Sequence, residues 1–281
     1  MAKHFPPVDP DRTVARALAE DIGSGDLSAA LVPAHTRAKG HIIAREPGVV
    51  AGIPWAQAAF HQVDPGISLG WCRSDGDALS KNDILCVLEG PARAILTAER
   101  TALNFLQLLC GTATLARRYA MAVAGSTAQV IDTRKTLPGL RAAQKYAVAV
   151  GGCGNHRMGL YDAILIKENH IATAGGIGAA LARVAGVGVP VEVEVENLGE
   201  LAQALAAGAA RILLDNFTPE LLSRAVAITA GRAELEASGN VSLGNVREIA
   251  QTGVDYISVG DLTKNVRALD LSLRLEVEPG R

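Results

Sequence analysis

The apolar positions of this 281-residue chain fall into two regimes. From residue 128 onward, short apolar runs alternate with amphipathic stretches. AQVID is followed by PGLRAAQKYAVAV, DAILI by GGIGAALARVAG, VPVEVEV by LGELAQALAAG, ARILLD by TPELLSRAVAITAG, and AELEA by SLGNVREIAQTG, before a closing DYISV. The short runs predict buried strands, and the spacing in the longer stretches predicts helices. Five such repeats and a sixth strand predict parallel strands joined by crossover helices. Pro219 behind Thr218 reads as a helix start. Gly188, Gly208, Gly231 and Gly253 read as helix C-caps.

Upstream the rhythm is absent. Residues 9–32 begin with a helix carrying Val14, Ala17, Leu18 and Ile22 on one face. Residues 36–53 suggest two strands around a Glu46-Pro47-Gly48 turn, and 54–63 a short helix. Residues 67–96 suggest further strands, among them ILCVLEG and ARAIL. Residues 97–124 suggest one or two helices with an apolar stripe of Leu103, Leu106, Leu109 and Cys110, widened by Phe105 and Leu108. So apolar a helix is expected to be buried between domains or subunits. Arg100 falls in its first turn, where the helix dipole disfavours a cation. Either a pairing with Glu99 or a use elsewhere accounts for that placement.

Composition narrows the function classes. A formal net charge of −2 and 4% aromatic residues argue against a general nucleic-acid or membrane-surface binder. Cys72, Cys86, Cys110 and Cys153 form no CxxC pair and no metal spacing. They read as reduced thiols of a cytoplasmic protein. The N-terminal MAKHFPPVDPDR carries no hydrophobic signal core, and no apolar run reaches membrane-spanning length. Neither GxGxxG after the first strand nor GxxxxGK[ST] occurs, which favours a barrel over a dinucleotide-binding or P-loop sheet.

Residues 132–170 depart from this acidic background. They hold Arg134, Lys135, Arg141, Lys145, His156, Arg157, Lys167 and His170 against Asp132, Asp162 and Glu168. In a parallel αβ barrel the site lies at the carboxyl ends of the strands. Those ends read Thr133-Arg134-Lys135, Lys167-Glu168-Asn169-His170, Glu194-Val195-Glu196-Asn197, Asp215-Asn216, Ser238-Gly239-Asn240 and Gly260-Asp261. The order suggests a divided site. Cations on the first two strands would hold an anion, carboxylates on the next two a sugar or metal ion, and the last two a phosphate through backbone N–H groups. VEVEV puts Glu192, Glu194 and Glu196 on one strand face; an exposed edge strand is the alternative to a buried, partnered one.

The segments DTRKTLPGLR, QKYAVAVGGCGNHRMGLYDAILIKENHI, EVEVEN, ILLDNF and TGVDYISVGDLTK resemble the quinolinate phosphoribosyltransferase family, as do EDIGSGDLS and ERTALNFLQLLCGTAT. The resemblance spans nearly the whole chain. It implies an α/β fold in which an N-terminal α+β open sandwich (1–115, with the buried helix) precedes an incomplete parallel α/β barrel of six to seven strands (116–268). A tail (269–281) would return to the N-terminal domain, and a seventh strand would have to come from ALDLSLRL.

The resemblance also implies roles. Arg134, Lys135, His156 and Arg157 would hold quinolinate, beside Thr133, with Arg100 arriving from a neighbouring subunit of a homodimer. Higher assembly stays open. Lys167 would bridge the two substrates. Glu194 and Asp215 would hold ribose hydroxyls and the Mg2+ of phosphoribosyl pyrophosphate, and with Lys167 they form the expected catalytic set. Ser238, Gly239, Asn240, Val259, Gly260 and Asp261 would contact the 5-phosphate. Asn240 and Asp261 depart from the small residues the family often has there, so Asp261 is expected to offer only its amide. A paralogue acting on another anionic acceptor and a non-catalytic sensor of a phosphorylated ligand are the competing readings.

Overall fold

The computed structural model describes residues 8–277. The first seven residues and residues 278–281 of the expected tail lie outside them. In chain order the elements are α1 (Pro10–Ile22), β1 (Arg37–Ala44), β2 (Gly48–Val49), α2 (Ile53–Val63), β3 (Ser68–Trp71), β4 (Ala78–Leu79), β5 (Ile84–Pro91) and α3 (Ala92–Ala122). They continue with β6 (Gln129–Ile131), α4 (Arg141–Gly151), β7 (Ile164–Ile166), α5 (Glu168–Ala174), α6 (Ile177–Arg183), β8 (Val191–Val195), α7 (Leu198–Ala206) and β9 (Arg211–Asp215). The last are α8 (Pro219–Thr229), β10 (Glu234–Ser238), α9 (Val246–Gln251), β11 (Tyr256–Ser258), α10 (Asp261–Lys264) and β12 (Leu271–Val277). They form two compact units. One takes residues 8–117, 137–152 and 265–277 of those described; the other takes 118–136 and 153–264.

The first unit is built on a four-stranded antiparallel sheet in the order β12-β1-β5-β3. Its core gathers Ile42, Trp55, Phe60, Leu85, Leu88, Ile95, Leu103, Leu106 and Leu109. Helix α1 starts where the Asp9 carboxylate accepts from the Arg12 amide at 3.0 Å, satisfying one orphan donor of its first turn.

Three expectations are corrected here. ARAIL is the start of α3 and not a strand, because Ala92, Ile95, Ala98 and Ala102 continue the apolar stripe upstream at helical spacing, all buried. Arg100 therefore lies well inside the helix, so the dipole argument does not apply to it. The stripe Leu103, Leu106, Leu109 and Cys110 is covered by this unit's own core and needs no second domain or subunit to bury it.

The second unit carries a six-stranded parallel sheet in the order β6-β11-β10-β9-β8-β7. This is the expected parallel αβ architecture. ALDLSLRL supplies no seventh strand: β12 pairs antiparallel with β1, Ile42 opposite Leu273. Its alternation of Leu271, Leu273 and Leu275 with polar residues suits a one-sided antiparallel sheet. Strand β8 lies between β9 and β7, so VEVEV is not an edge strand. Thr218 caps α8 ahead of Pro219, and Gly208, Gly231 and Gly253 follow their helices with positive φ. Gly188 does not cap: α6 ends at Arg183, and turn bonds at Ala185 and Val187 intervene.

Candidate active site

The parallel strands end around a cavity of about 470 Å³ in the second unit. Its lining includes Thr133, Arg134, Lys135, His156, Arg157, Lys167, Glu194, Asp215 and Ser238. Seven of these were singled out by their position at strand ends; His156 and Arg157, in the loop before β7, were singled out as members of the cationic segment 132–170. Leu165, Leu213, Glu236 and Ser258 complete the lining. Parallel register explains the convergence, because it sets Ser238 beside Asp215 and Glu194 beside Leu213.

The cationic wall comes from two segments tied together by Asp132. This carboxylate is fully buried. It accepts from Asn155 Nδ2 at 2.7 Å and from the His156 amide at 2.9 Å, and Ile131 bridges Gly154 in parallel. The Arg134 and Arg157 guanidinium groups are close enough to matter to each other. Burial and then the Arg134 charge hold Arg157 below the ordinary guanidinium range. Cations pressed together in a partly desolvated pocket are favourable only when an anion joins them. Arg157 is further anchored by donating to the Ala163 carbonyl at 3.1 Å.

Lys135 needs Gly260. A Cβ there would stand 3.2 Å from Lys135 Cδ and 3.7 Å from Thr133 Oγ1, so a side chain at 260 would crowd the lysine stem. The Thr263 hydroxyl donates to the Lys135 carbonyl at 2.8 Å, holding that turn against α10.

Across the cavity, Lys167 Nζ pairs with Glu194 Oε2. Lys167 is 45% exposed and Glu194 9%, so the lysine reaches from the rim to a carboxylate on the floor. The Lys167 amide donates to His170 Nδ1 at 3.0 Å, which gives His170 a capping role at the start of α5. Asp215 accepts from Asn216 Nδ2 at 2.8 Å. Its other oxygen has no hydrogen-bond partner among the described residues.

Beside Asp215, Asn216 and Asn240 take positive φ of 57° and 50° and meet through Asn240 Nδ2 and Asn216 Oδ1 at 3.3 Å. Gly239 sits between them at φ 97°. Gly239, Asn240, Val259, Gly260 and Asp261 follow β10 and β11 but do not line the cavity itself. Arg100 belongs to the first unit, with a 60% exposed side chain 4.0 Å from Glu99.

Two family models account for most of the chain. The N-terminal domain of quinolinate phosphoribosyl transferase matches residues 26–110, and the C-terminal domain matches 112–274. The chain belongs to the quinolinate phosphoribosyltransferase family. A decarboxylating quinolinate phosphoribosyltransferase of Nicotiana tabacum is 42% identical, covering 97% of this chain and 84% of the tobacco protein. A probable carboxylating nicotinate-nucleotide pyrophosphorylase of Bacillus subtilis is 40% identical, covering 90% and 89%. The solved nicotinate-nucleotide pyrophosphorylase of Francisella tularensis superposes with a TM-score of 0.93 at 45% identity, over 96% of this chain and 98% of that one.

Sequence reasoning missed part of this family member's site. Glu236 lines the cavity with no exposed surface, and burial first, then the Glu192 charge, pushes its carboxyl up to about 7. Arg211 lies at 3.0 Å from Glu192 Oε1 and 2.5 Å from Glu236 Oε2. The available signal was alternation. ELEAS repeats the acidic–apolar pattern of VEVEV two strands away, and each places a Glu on the inward face.

Proposed function

We infer that this chain is a quinolinate phosphoribosyltransferase, acting in NAD biosynthesis. It joins quinolinate to phosphoribosyl pyrophosphate, giving nicotinate mononucleotide, pyrophosphate and CO2. The observation that carries this reading is the division of the cavity wall. Arg134, Lys135 and Arg157 stand after β6 and before β7, while Glu194 and Asp215 end the neighbouring strands β8 and β9. A dicarboxylate suits the first group and a ribose the second.

Thr133, Arg134, Lys135 and Arg157 bind the two carboxylates and orient the ring nitrogen, with His156 beside them. Lys167, drawn inward by Glu194, sits between this acceptor side and the ribose side. Glu194 and Asp215 accept from ribose hydroxyls and steady the anomeric carbon as positive charge grows there. The ring nitrogen attacks that carbon while the bond to pyrophosphate breaks. The quaternised nitrogen then withdraws electrons from the ring, the bond to the adjacent carboxylate breaks as CO2 leaves, and the carbon takes a proton. Ser238, Gly239, Asn240, Val259, Gly260 and Asp261 hold the 5-phosphate through main-chain N–H groups. Positioning and electrostatics supply most of the rate in such a scheme.

The donor set fits Mg2+, a hard cation that keeps waters and takes one or two carboxylates with substrate phosphates. Asp215 keeps one oxygen free of hydrogen bonds among the described residues, and Glu194 is already charge-compensated by Lys167. When bound, Mg2+ would neutralise the leaving pyrophosphate.

A homodimer in which Arg100 enters the partner's site is part of this reading; its support is the family resemblance and the high exposure of that side chain. Among the described residues no helix is long and apolar enough to cross a membrane, and all four cysteines are free, which supports a cytoplasmic setting.

The test is incubation with quinolinate, phosphoribosyl pyrophosphate and Mg2+, following nicotinate mononucleotide and CO2. Nicotinate lacks one carboxylate and would engage fewer of the half-buried and exposed cations Arg134, Lys135 and Arg157, so quinolinate should be the preferred acceptor. A kcat/KM for nicotinate equal to that for quinolinate would refute the reading.

A further inference from the structure

At the cavity floor, reaching toward the strand starts, lies a group of charges of which Glu192, Glu236 and Arg211 have no part in the reaction as described. Glu192 is 5% exposed and Glu236 0%; they project inward from β8 and β10. Arg211 at the start of β9 reaches both, and its guanidinium lies 4.1 Å from the centre of the Tyr256 ring. His156 Nε2 is 2.9 Å from Glu192 Oε2 and 3.6 Å from Glu236 Oε2. These ligand atoms lie close enough together to hold a metal ion, but Arg211 already supplies the cation.

We propose that Glu192, braced by Arg211 and Glu236, is a positioning residue for the acceptor side of the site, acting through His156 on Arg157. This rests on the quinolinate reading above and assigns the group a task within it.

The hydrogen bonds give the direction. His156 Nδ1 accepts from the Arg157 amide at 2.6 Å, so Nε2 carries the ring proton and donates it to Glu192. Both ring nitrogens are thereby committed inside the protein, and the ring has one orientation and one tautomer. The His156 amide is held separately by Asp132. The main chain at Arg157 is therefore fixed by the ring before it and by Asp132 behind it. Its guanidinium takes its aim into the cavity from that backbone and from the Ala163 carbonyl.

Packing gives a second reason. His156 and Arg157 line the strand-end cavity and also a cavity of about 540 Å³ at the strand starts, which Glu192 and Arg211 line as well. They separate two open spaces, so no packed apolar core stands ready to hold the ring if Glu192 is lost. The inward pair of acids also needs Arg211: two carboxylates and one guanidinium balance when Glu236 keeps its proton, which is the direction burial drives it.

The test uses the full-length enzyme. Glu192→Ala should raise the KM for quinolinate at least tenfold while the KM for phosphoribosyl pyrophosphate stays within twofold. Glu192→Gln, which still offers His156 an acceptor, should recover most of that loss. On 15N-histidine-labelled protein, the ring N–H resonance assigned to His156 through His156→Asn should appear in wild type and Glu192→Gln and vanish in Glu192→Ala. An unchanged quinolinate KM in Glu192→Ala, an equal rise for both substrates, or an unchanged imidazole resonance would each overturn the proposal. If wild type makes no nicotinate mononucleotide from quinolinate, the functional reading fails instead, and the resonance still decides whether Glu192 holds His156.

Discussion

A methyl group on Gly239 would lie 2.1 Å from the side-chain oxygen of Asn216. The two residues end adjacent strands, and no shift of a flexible tip relieves the contact, because Asn216 N would also lie 2.9 Å away. Gly239 in addition holds φ 97°, where a side chain costs about 1–3 kcal/mol. Gly239→Ala should therefore lower the melting temperature and raise the KM for phosphoribosyl pyrophosphate more than that for quinolinate. Gly208→Ala is the control. It has φ 77° with nothing within 4 Å, so it carries backbone strain without the clash and should leave both KM values alone. Equal effects of the two substitutions would show that Asn216 and Gly239 do not shape the phosphate side.

The candidate cavity was legible where its lining sits at strand ends, because periodicity locates those ends. It was less legible where a residue's role depends on what stands on the neighbouring strand. Glu192 was visible as an inward carboxylate that needs a partner, but nothing in the local pattern pointed to Arg211, which comes from the start of another strand. ARAIL was misread because five apolar-rich residues cannot distinguish a strand from a helix start, and only the continued spacing through Ala102 decides it. The C-terminal strand was misassigned for a different reason. Its partner β1 lies more than 200 residues earlier in the chain, and pairing at that distance leaves no local trace.

The ion pair between Lys167 and Glu194 is unequal, and its two halves should fail differently. Lys167→Ala leaves a carboxylate that is 9% exposed without its cation, whereas Glu194→Gln leaves a lysine that is 45% exposed and can turn to water. Removing the lysine should cost about 1–2 kcal/mol of stability, discounted from the fully buried case for solvent screening, and removing the glutamate's charge less. Chemical denaturation of both variants measures the difference, and both should lose most activity. A Glu194→Gln variant less stable than Lys167→Ala would contradict this burial argument.

Glu236 gives a pH dependence whose sign is fixed. Its carboxyl is raised from 4.5 to about 7 in the folded protein. The unfolded chain loses this proton first as pH rises, so the stabilisation is full below about pH 4.5 and is lost by about pH 7. Glu236→Gln removes the titration. The stability of wild type relative to Glu236→Gln should fall between pH 5 and pH 7.5, read as the difference in melting temperature at each pH. Glu192 shifts the opposite way: Arg211 and His156 outweigh the effect of burial and hold it low. A flat difference would mean that Glu236 is ionised throughout.

Arg100 decides whether one subunit suffices. Its helix is buried in its own unit, so the apolar stripe no longer argues for a partner, and the case rests on the arginine itself. Its side chain is 60% exposed and, among the described residues, its one ion pair is with Glu99, at the 4.0 Å limit. Glu99 is held toward its neutral form by burial, which makes it a poor permanent partner. If Arg100 completes the neighbour's site in a two-fold dimer, Arg100→Ala and Lys167→Ala should each be nearly inactive alone. After dissociation and mixing, about half the dimers are hetero-dimers, each with one site carrying both substitutions and one carrying neither, so about a quarter of wild-type activity should return. Native mass measurement establishes that mixed dimers have formed. Mixed dimers without activity would place Arg100 in its own subunit's site, an active Arg100→Ala enzyme alone would place it outside catalysis, and either result would make the shared-site arrangement wrong.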